Sequence, residues 1–166
     1  MKNYMEPKKR ILSNNVFFAY VEELIAEGKS VELAIKGVSM QPSLYEGRHN
    51  IVLNPVDTDK DLFVGCIALF VFKGKHVVHR LIKIEGDMCT FKGDNLPTSQ
   101  EKVCRSDVKA IVSRYISVDG KTTYCLSGRY KIYSRFCLIP VLKVWHLLRR
   151  LSFKFRVLSV KQKGRK

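Results

Sequence analysis

Ser39 stands in the stretch KGVSMQPSL, between a Gly-Val pair and a Met-x-Pro turn and directly behind the apolar run VELAI. Turns recruit serine because its hydroxyl bonds nearby backbone, so position alone makes Ser39 a turn residue. A nucleophilic role needs a base, since an unassisted hydroxyl is a weak nucleophile at neutral pH. The chain has four histidines: His49, His76, His79 and His146. His146 lies in a basic C-terminal segment, and His76 and His79 share one apolar run three residues apart, so strand alternation points them to opposite faces. His79 is therefore the candidate base. A lone strand histidine is more often a satisfied structural group than a catalyst, and spacing alone does not assign it.

The elements that would hold these two residues are short. In SNNVFFAYVEELIAEGKS, Phe17, Tyr20, Val21, Leu24 and Ile25 recur at helical spacing, Ser13 or Asn14 can cap the start, and Gly28 suits the exit. Six β-branched or aromatic runs follow, VELAIKG, HNIVLNP, CIALFVFK, HVVHRLIKIEG, DMCTFKG and VKAIVSRYISVDG, separated by Gly, Pro, Asp or Asn. Gly65, Gly74 and Gly86 with Asp87 are placed to turn the chain, and VDGKTTY reads as a hairpin over Asp119-Gly120. The pattern predicts a mainly β, β-rich α+β domain, built as a compact mixed sheet or partly open barrel.

Three motifs in fixed order carry a resemblance: GVSMQP with Ser39, VVHRLIKIEGD with His79 forty residues on, and FKGDN over Phe91 to Asn95. Together they resemble the signal peptidase I family, within the larger group that includes the LexA-type self-cleaving repressors. The similarity runs from about Gly28 to about Val118 and includes VGCIALF, where Cys66 stands in place of the family's usual acid. It implies a LexA/signal-peptidase-like partly open barrel of mixed strands. It also implies a hydrolase: a serine endopeptidase that cleaves a leader, signal or precursor peptide.

The serine of the SM-x-P box, here Ser39, is the implied nucleophile, and His79-Arg80 resembles the branch of the family with a histidine base. That branch has its catalytic aspartate a few residues past GDN, where this chain reads LPTSQEKV and offers Glu101 but no Asp. Asp94 of the GDN box is the better-matched acid, to orient the imidazole or brace the site, with Glu101 and the more distant Asp107 as alternatives. The usual GD after the nucleophile box becomes GRHN, so Arg48 and His49 replace an acidic turn. In the implied mechanism Ser39 attacks the scissile carbonyl and His79 relays the proton to the leaving amine. The Ser39 N–H, in the Gly37-Val38 loop, faces the oxyanion. Pro42 is expected to stiffen this loop and Met40 to line the substrate groove, the plainer reading of both being turn and core residues. No metal or cofactor is required.

The composition, 46% apolar and 27% charged over 166 residues, fits one globular unit able to bury a core. Five cysteines without a CxxC pair, Cys66, Cys89, Cys104, Cys125 and Cys137, point to reduced structural thiols and not to a disulfide framework. The start MKNYMEPKKRILSNN is basic without an apolar h-region, so no cleavable secretory signal is expected and the cytoplasm is the expected compartment.

Charge divides the chain. Residues 1–128 hold 18 bases against 15 acids, whereas residues 129–166 hold 12 bases and no acid. The expected units are an N-terminal helix region over residues 1–28, a catalytic β domain over 29–126 and a basic amphipathic segment over 127–166. Lys143, Arg149 and Arg150 interrupt every stretch of that segment long enough to span a bilayer, so residues 129–160 are expected to lie on an anionic membrane surface, at its inner face, and not through it. Packing on the sheet or an oligomer contact is the next expectation, and nucleic acid ranks last because no base-reading motif is present. Pro140 marks where a helix could begin or kink. With every candidate catalytic residue ahead of Gly128, a chain cut there is expected to keep Ser39 reactive. The rival function is a LexA-like self-processing or regulatory module, or an inactive peptidase fold that only binds. Residues 1–30 are too few for a helix-turn-helix domain ahead of the nucleophile, which counts against a repressor.

Overall fold

The computed structural model describes residues 14–56, 61–149 and 152. Helix α1 (Asn14–Ala26) lies where the apolar spacing puts it, with Val21 and Ile25 buried, but its packed face turns toward Phe17 and Phe18 and leaves Tyr20 exposed. Phe18 is drawn inward because its ring stacks on His76 at 4.3 Å. The helix ends at Gly28, whose φ of +78° lets its own N–H reach Ile25 O and the Lys29 N–H reach Leu24 O. The expected cap Ser13 lies outside the described residues.

The strands are β1 (Val31–Ala34), β2 (His49–Asn54), β3 (Ile67–Phe72), β4 (Lys75–Glu85), β5 (Met88–Lys92), β6 (Glu101–Cys104), β7 (Val108–Ser117) and β8 (Thr122–Tyr124). All pairings among the described residues are antiparallel, in the order β1-β2-β7-β3-β4-β5-β6, with β8 added to β7 through the expected Asp119-Gly120 hairpin. The sheet is an open, curled half-barrel, so the β-rich expectation holds while the mixed-strand one does not. Register shifts at Val52/Leu53, Leu69/Phe70 and Leu81/Lys83 supply the bend, because an extra residue on one strand increases local twist.

Two apolar clusters fill the fold. One lies under α1 and includes Val21, Met40, Leu44, Ile51 and Leu69; the other includes Leu81, Val103 and Ile111 and holds Phe70 stacked on Phe91 at 4.2 Å. The described cysteines are all free thiols, and burial pushes Cys66 up to about 12, where it is an inert apolar filler.

Two elements differ from the sequence expectation. Strand β6 was not expected: Glu-Lys-Val-Cys has a single β-branched residue, yet it alternates buried and exposed positions along β5. The C-terminal segment is also more than a surface arm. It opens as α2 (Gly128–Ile132), with Ser127 Oγ accepting from the Tyr130 N–H, passes through a π-helical stretch (Tyr133–Leu138) and stays helical over residues 139–149. The helix thus begins twelve residues before Pro140. A proline crowds the carbonyl four residues back, here residue 136 within the wider π turn, which accommodates it.

Tyr130, Ser134, Leu142 and His146 form the buried stripe of this helix, so the described part of the segment packs against the sheet by one face. A cut after Gly128 would strip these residues from the core, which removes the expectation that such a chain keeps Ser39 reactive. Among the described residues no helix is long and apolar enough to cross a membrane. Residues 150–160 of the proposed membrane segment, Ser152 apart, lie outside the described set.

Candidate active site

Strand alternation separates the two β4 histidines as expected. His76 turns to α1, with Nε2 2.5 Å from Glu22 Oε1, while His79 points the other way and is 6% exposed. His79 meets a carboxylate there. Its Nδ1 lies 3.0 Å from Oε2 of Glu101, which β6 carries inward two strands away; through the registers Leu81↔Phe91 and Phe91↔Glu101 the strands bring β4 and β6 to either side of β5. With Nδ1–H donating to the carboxylate, the lone pair sits on Nε2, the tautomer a general base requires.

Gly93 shows what Nε2 faces. A side-chain carbon at this position would lie 2.8 Å from the Ser39 carbonyl oxygen and 3.0 Å from His79 Nε2, so the Ser39 loop and the imidazole close on one glycine. Only the absence of a Cβ lets the three approach. Asn95 locks the loop from the same turn, its N–H donating to Ser39 O at 2.7 Å and its Nδ2 to Val38 O at 3.1 Å. Ser39 itself is half-buried at the start of a turn closed by Gln41 N–H to Val38 O and Leu44 N–H to Met40 O. Gly37, at φ +83°, donates its N–H to Glu46 Oε2. Val38 is exposed at 58%, and Pro42, after a cis peptide bond, lies at the surface. Met40 is 3% exposed and belongs to the apolar cluster that includes Val21 and Leu44, the place its plainer core reading gives it.

The acids separate by partner. Asp94, the first choice for the imidazole, instead gives both oxygens to Arg80: Nε donates to Oδ1 at 2.8 Å and Nη2 to Oδ2 at 2.7 Å. Arg80 follows His79 on the strand and so points to the opposite side, taking the nearest GDN carboxylate with it. Asp107 accepts from the Cys104 N–H in the 3-10 turn Arg105–Asp107 and does not reach the site. Glu101, an alternative by sequence, is the carboxylate on His79.

Arg80 is 1% exposed; the two N–H groups of its Nη1 are shared among Gly65 O, Tyr130 OH and Ser134 Oγ, and Nη2 also donates to Ser43 Oγ. Burial opposes its charge, yet the Asp94 carboxylate overrides it and holds the guanidinium above its ordinary pKa. Gly65 must lack a side chain because a Cβ there would fall 2.6 Å from Ser134 Oγ. The C-terminal helix adds two further holds on the GDN turn: His146 Nε2–H donates to Asp94 O at 2.8 Å, and Arg149 Nη1 to Asn95 Oδ1 at 2.8 Å. Sequence reading missed Tyr130, Ser134, His146 and Arg149 as supports. Their signal was a small or polar residue recurring on one face of a basic helix, which charge counting hides.

Scanning protein-family models, curated proteins and solved structures returns no match for this chain. Among the described residues no group of three or more His, Cys, Asp and Glu side chains is arranged to hold a metal ion.

Proposed function

We propose that the chain is a serine endopeptidase of the signal-peptidase-like kind, which cuts a leader, signal or precursor peptide with Ser39 as nucleophile, His79 as base and Glu101 as orienting carboxylate. The observation that carries this reading is the Glu101 contact on His79 Nδ1 with Nε2 and the Ser39 loop both against Gly93. On this reading the half-barrel is of the LexA/signal-peptidase-like type. Ser39 Oγ attacks the scissile carbonyl carbon as its proton passes to Nε2, and Glu101 stabilises the imidazolium that results. The Ser39 N–H supports the oxyanion. Collapse of the tetrahedral intermediate returns the proton to the leaving amine, and water then releases the acyl group from Ser39 by the same steps in reverse roles.

Treatment of the purified full chain with a small fluorophosphonate, followed by peptide mass mapping, should place the adduct on Ser39 and lose it in His79→Ala. A chain that folds yet carries no adduct at Ser39 sinks the reading. Glu101→Gln separates positioning from mere packing: it should leave the fold intact and reduce turnover by about 10³- to 10⁴-fold, because a neutral amide no longer enforces the tautomer or stabilises the imidazolium. The readout is the pH profile together with kcat; an unchanged profile with full kcat removes Glu101 from the mechanism.

The chain, we infer, works against an anionic membrane surface. While one face of the C-terminal helix is packed, Ile132, Tyr133, Phe136, Val141, Val144, Leu147 and Leu148 stand 51–66% exposed beside Arg129, Lys131 and Arg135, in a segment without any acid. Apolar burial and attraction between basic side chains and anionic headgroups would act together on such a face. Each basic residue near the surface contributes about 1 kcal/mol, a share that salt screens while the apolar share persists. Co-sedimentation with phosphatidylglycerol vesicles should therefore weaken with salt without vanishing. It should be lost in a Phe136→Glu, Leu148→Glu variant that still labels at Ser39. Equal sedimentation of that variant overturns the inference.

A further inference from the structure

A cleft of about 360 Å³ lies between β4, β5 and β6 and the C-terminal helix, with Gly93 among its lining residues. Its apolar lining is Ile82, Ile139 and Leu142, joined by the buried Thr90. Its charge is one-sided. Lys83 comes from β4, Lys92 from β5, Lys102 from β6 and Lys143 from the helix, so four separate segments each line one concavity with a lysine, of which Lys92 donates to Pro97 O at 3.1 Å. The sheet register places Lys83, Thr90 and Lys102 in one row and Arg80 beside Lys92 in the next.

Two carboxylates belong to the described lining. Asp94 is consumed by Arg80, and Glu85 is bound to Lys83 at 2.8 Å. The cleft thus keeps a surplus of positive charge against partly apolar walls, and such a concavity focuses field and raises the local concentration of anions. A solvated sheet face would ordinarily mix its charges, since like charges held side by side destabilise it. The volume lies in the range of ligand sites and not of packing defects.

Gly93 joins this cleft to the chemistry, because the same residue borders Ser39 O and His79 Nε2. Arg80, Thr90, Lys92 and Lys102 lie on the sheet face opposite to His79 and Glu101, so the cleft sits behind the site and shares only Gly93 with it. We propose that the cleft binds an acidic, apolar-interleaved peptide segment, its carboxylates meeting Lys102 and Lys143 and its apolar side chains meeting Ile82, Ile139 and Leu142. The proposal stands apart from the peptidase reading, and its binding step does not require turnover.

The test uses the full chain carrying Ser39→Ala and a rhodamine-labelled peptide of alternating glutamate and leucine, with its glutamine counterpart as control, read by fluorescence anisotropy. The acidic peptide should bind at least about tenfold more tightly than the glutamine peptide, and added salt should shrink the difference. Lys102→Glu with Lys143→Glu, both exposed side chains outside the catalytic set, should erase the preference while leaving fluorophosphonate labelling of Ser39 unchanged in the otherwise native chain. Equal binding of the two peptides, or a preference untouched by the charge reversals, overturns the cleft proposal even where Ser39 labels normally. A preference that the reversals abolish, in a chain whose Ser39 never labels, supports the cleft and overturns the peptidase reading alone. Tighter binding of a labelled single-stranded oligonucleotide than of the acidic peptide, lost on the same reversals, assigns the cleft to nucleic acid and overturns the peptide proposal.

Discussion

Ser39→Ala and His79→Ala should each lower cleavage of any peptide this chain turns over by about 10⁴-fold or more, with unfolding midpoints close to that of the parent. The two losses should not add. Ser39 Oγ cannot be deprotonated without a base, and an imidazole without its hydroxyl has no proton to take, so the double variant should be about as inactive as either single one. The fold is expected to tolerate both changes. Ser39 loses one oxygen from a half-buried turn whose closing bonds are made by backbone atoms and Asn95. His79 leaves Glu101 without a partner, so a modest stability loss belongs to that variant and not to Ser39→Ala. Undiminished turnover in pure Ser39→Ala would end the nucleophile assignment, whereas additive losses would show that the two residues do not work as one unit.

The second large effect is on stability. Arg80 and Asp94 are 1% and 4% exposed and form a two-pronged ion pair, the geometry in which removing one partner leaves the other charge uncompensated in the interior. Asp94→Asn should therefore cost about 3–5 kcal/mol, read as a fall in the urea midpoint at unchanged slope. Asp94→Leu combined with Arg80→Met should cost less than the two single changes summed, since no orphan charge is left. Turnover per folded molecule should fall less in Asp94→Asn than in Glu101→Gln. The reason is position: Asp94 braces the turn that carries Gly93 and Asn95, whereas Glu101 touches His79, the proposed base. A crippled but fully stable Asp94→Asn would reverse the roles given to the two acids.

Charge separation and period were readable along the chain. Alternation in HVVHRLIKIEG put His76 and His79 on opposite faces, and the glycines at 28, 74, 86 and 120 fell where the backbone adopts positive φ. Helix α1 was placed by its spacing, although Phe18 replaced Tyr20 on the buried face once His76 offered a stacking partner. These are local properties, set by side-chain direction and backbone sterics within a few residues.

The identity of the imidazole's carboxylate was different in kind. Glu101 is 22 residues from His79 in sequence and two strands away in the sheet, and it arrives only because β6, a strand with weak composition, pairs with β5 in the register Phe91↔Glu101. Asp94, nearer in sequence and the better-matched acid by motif, goes instead to Arg80, which strand alternation turns away from His79. The C-terminal helix followed the same rule: 12 bases without an acid announced a basic amphipathic segment, and the sequence alone held that much. Which face packs was decided by the π-helical stretch, which shifts the phase of the helix, and by the buried Arg80, whose spare N–H groups draw in Tyr130 and Ser134. Period and composition act over one turn or one strand, whereas a buried charge must find its partners wherever the fold brings them.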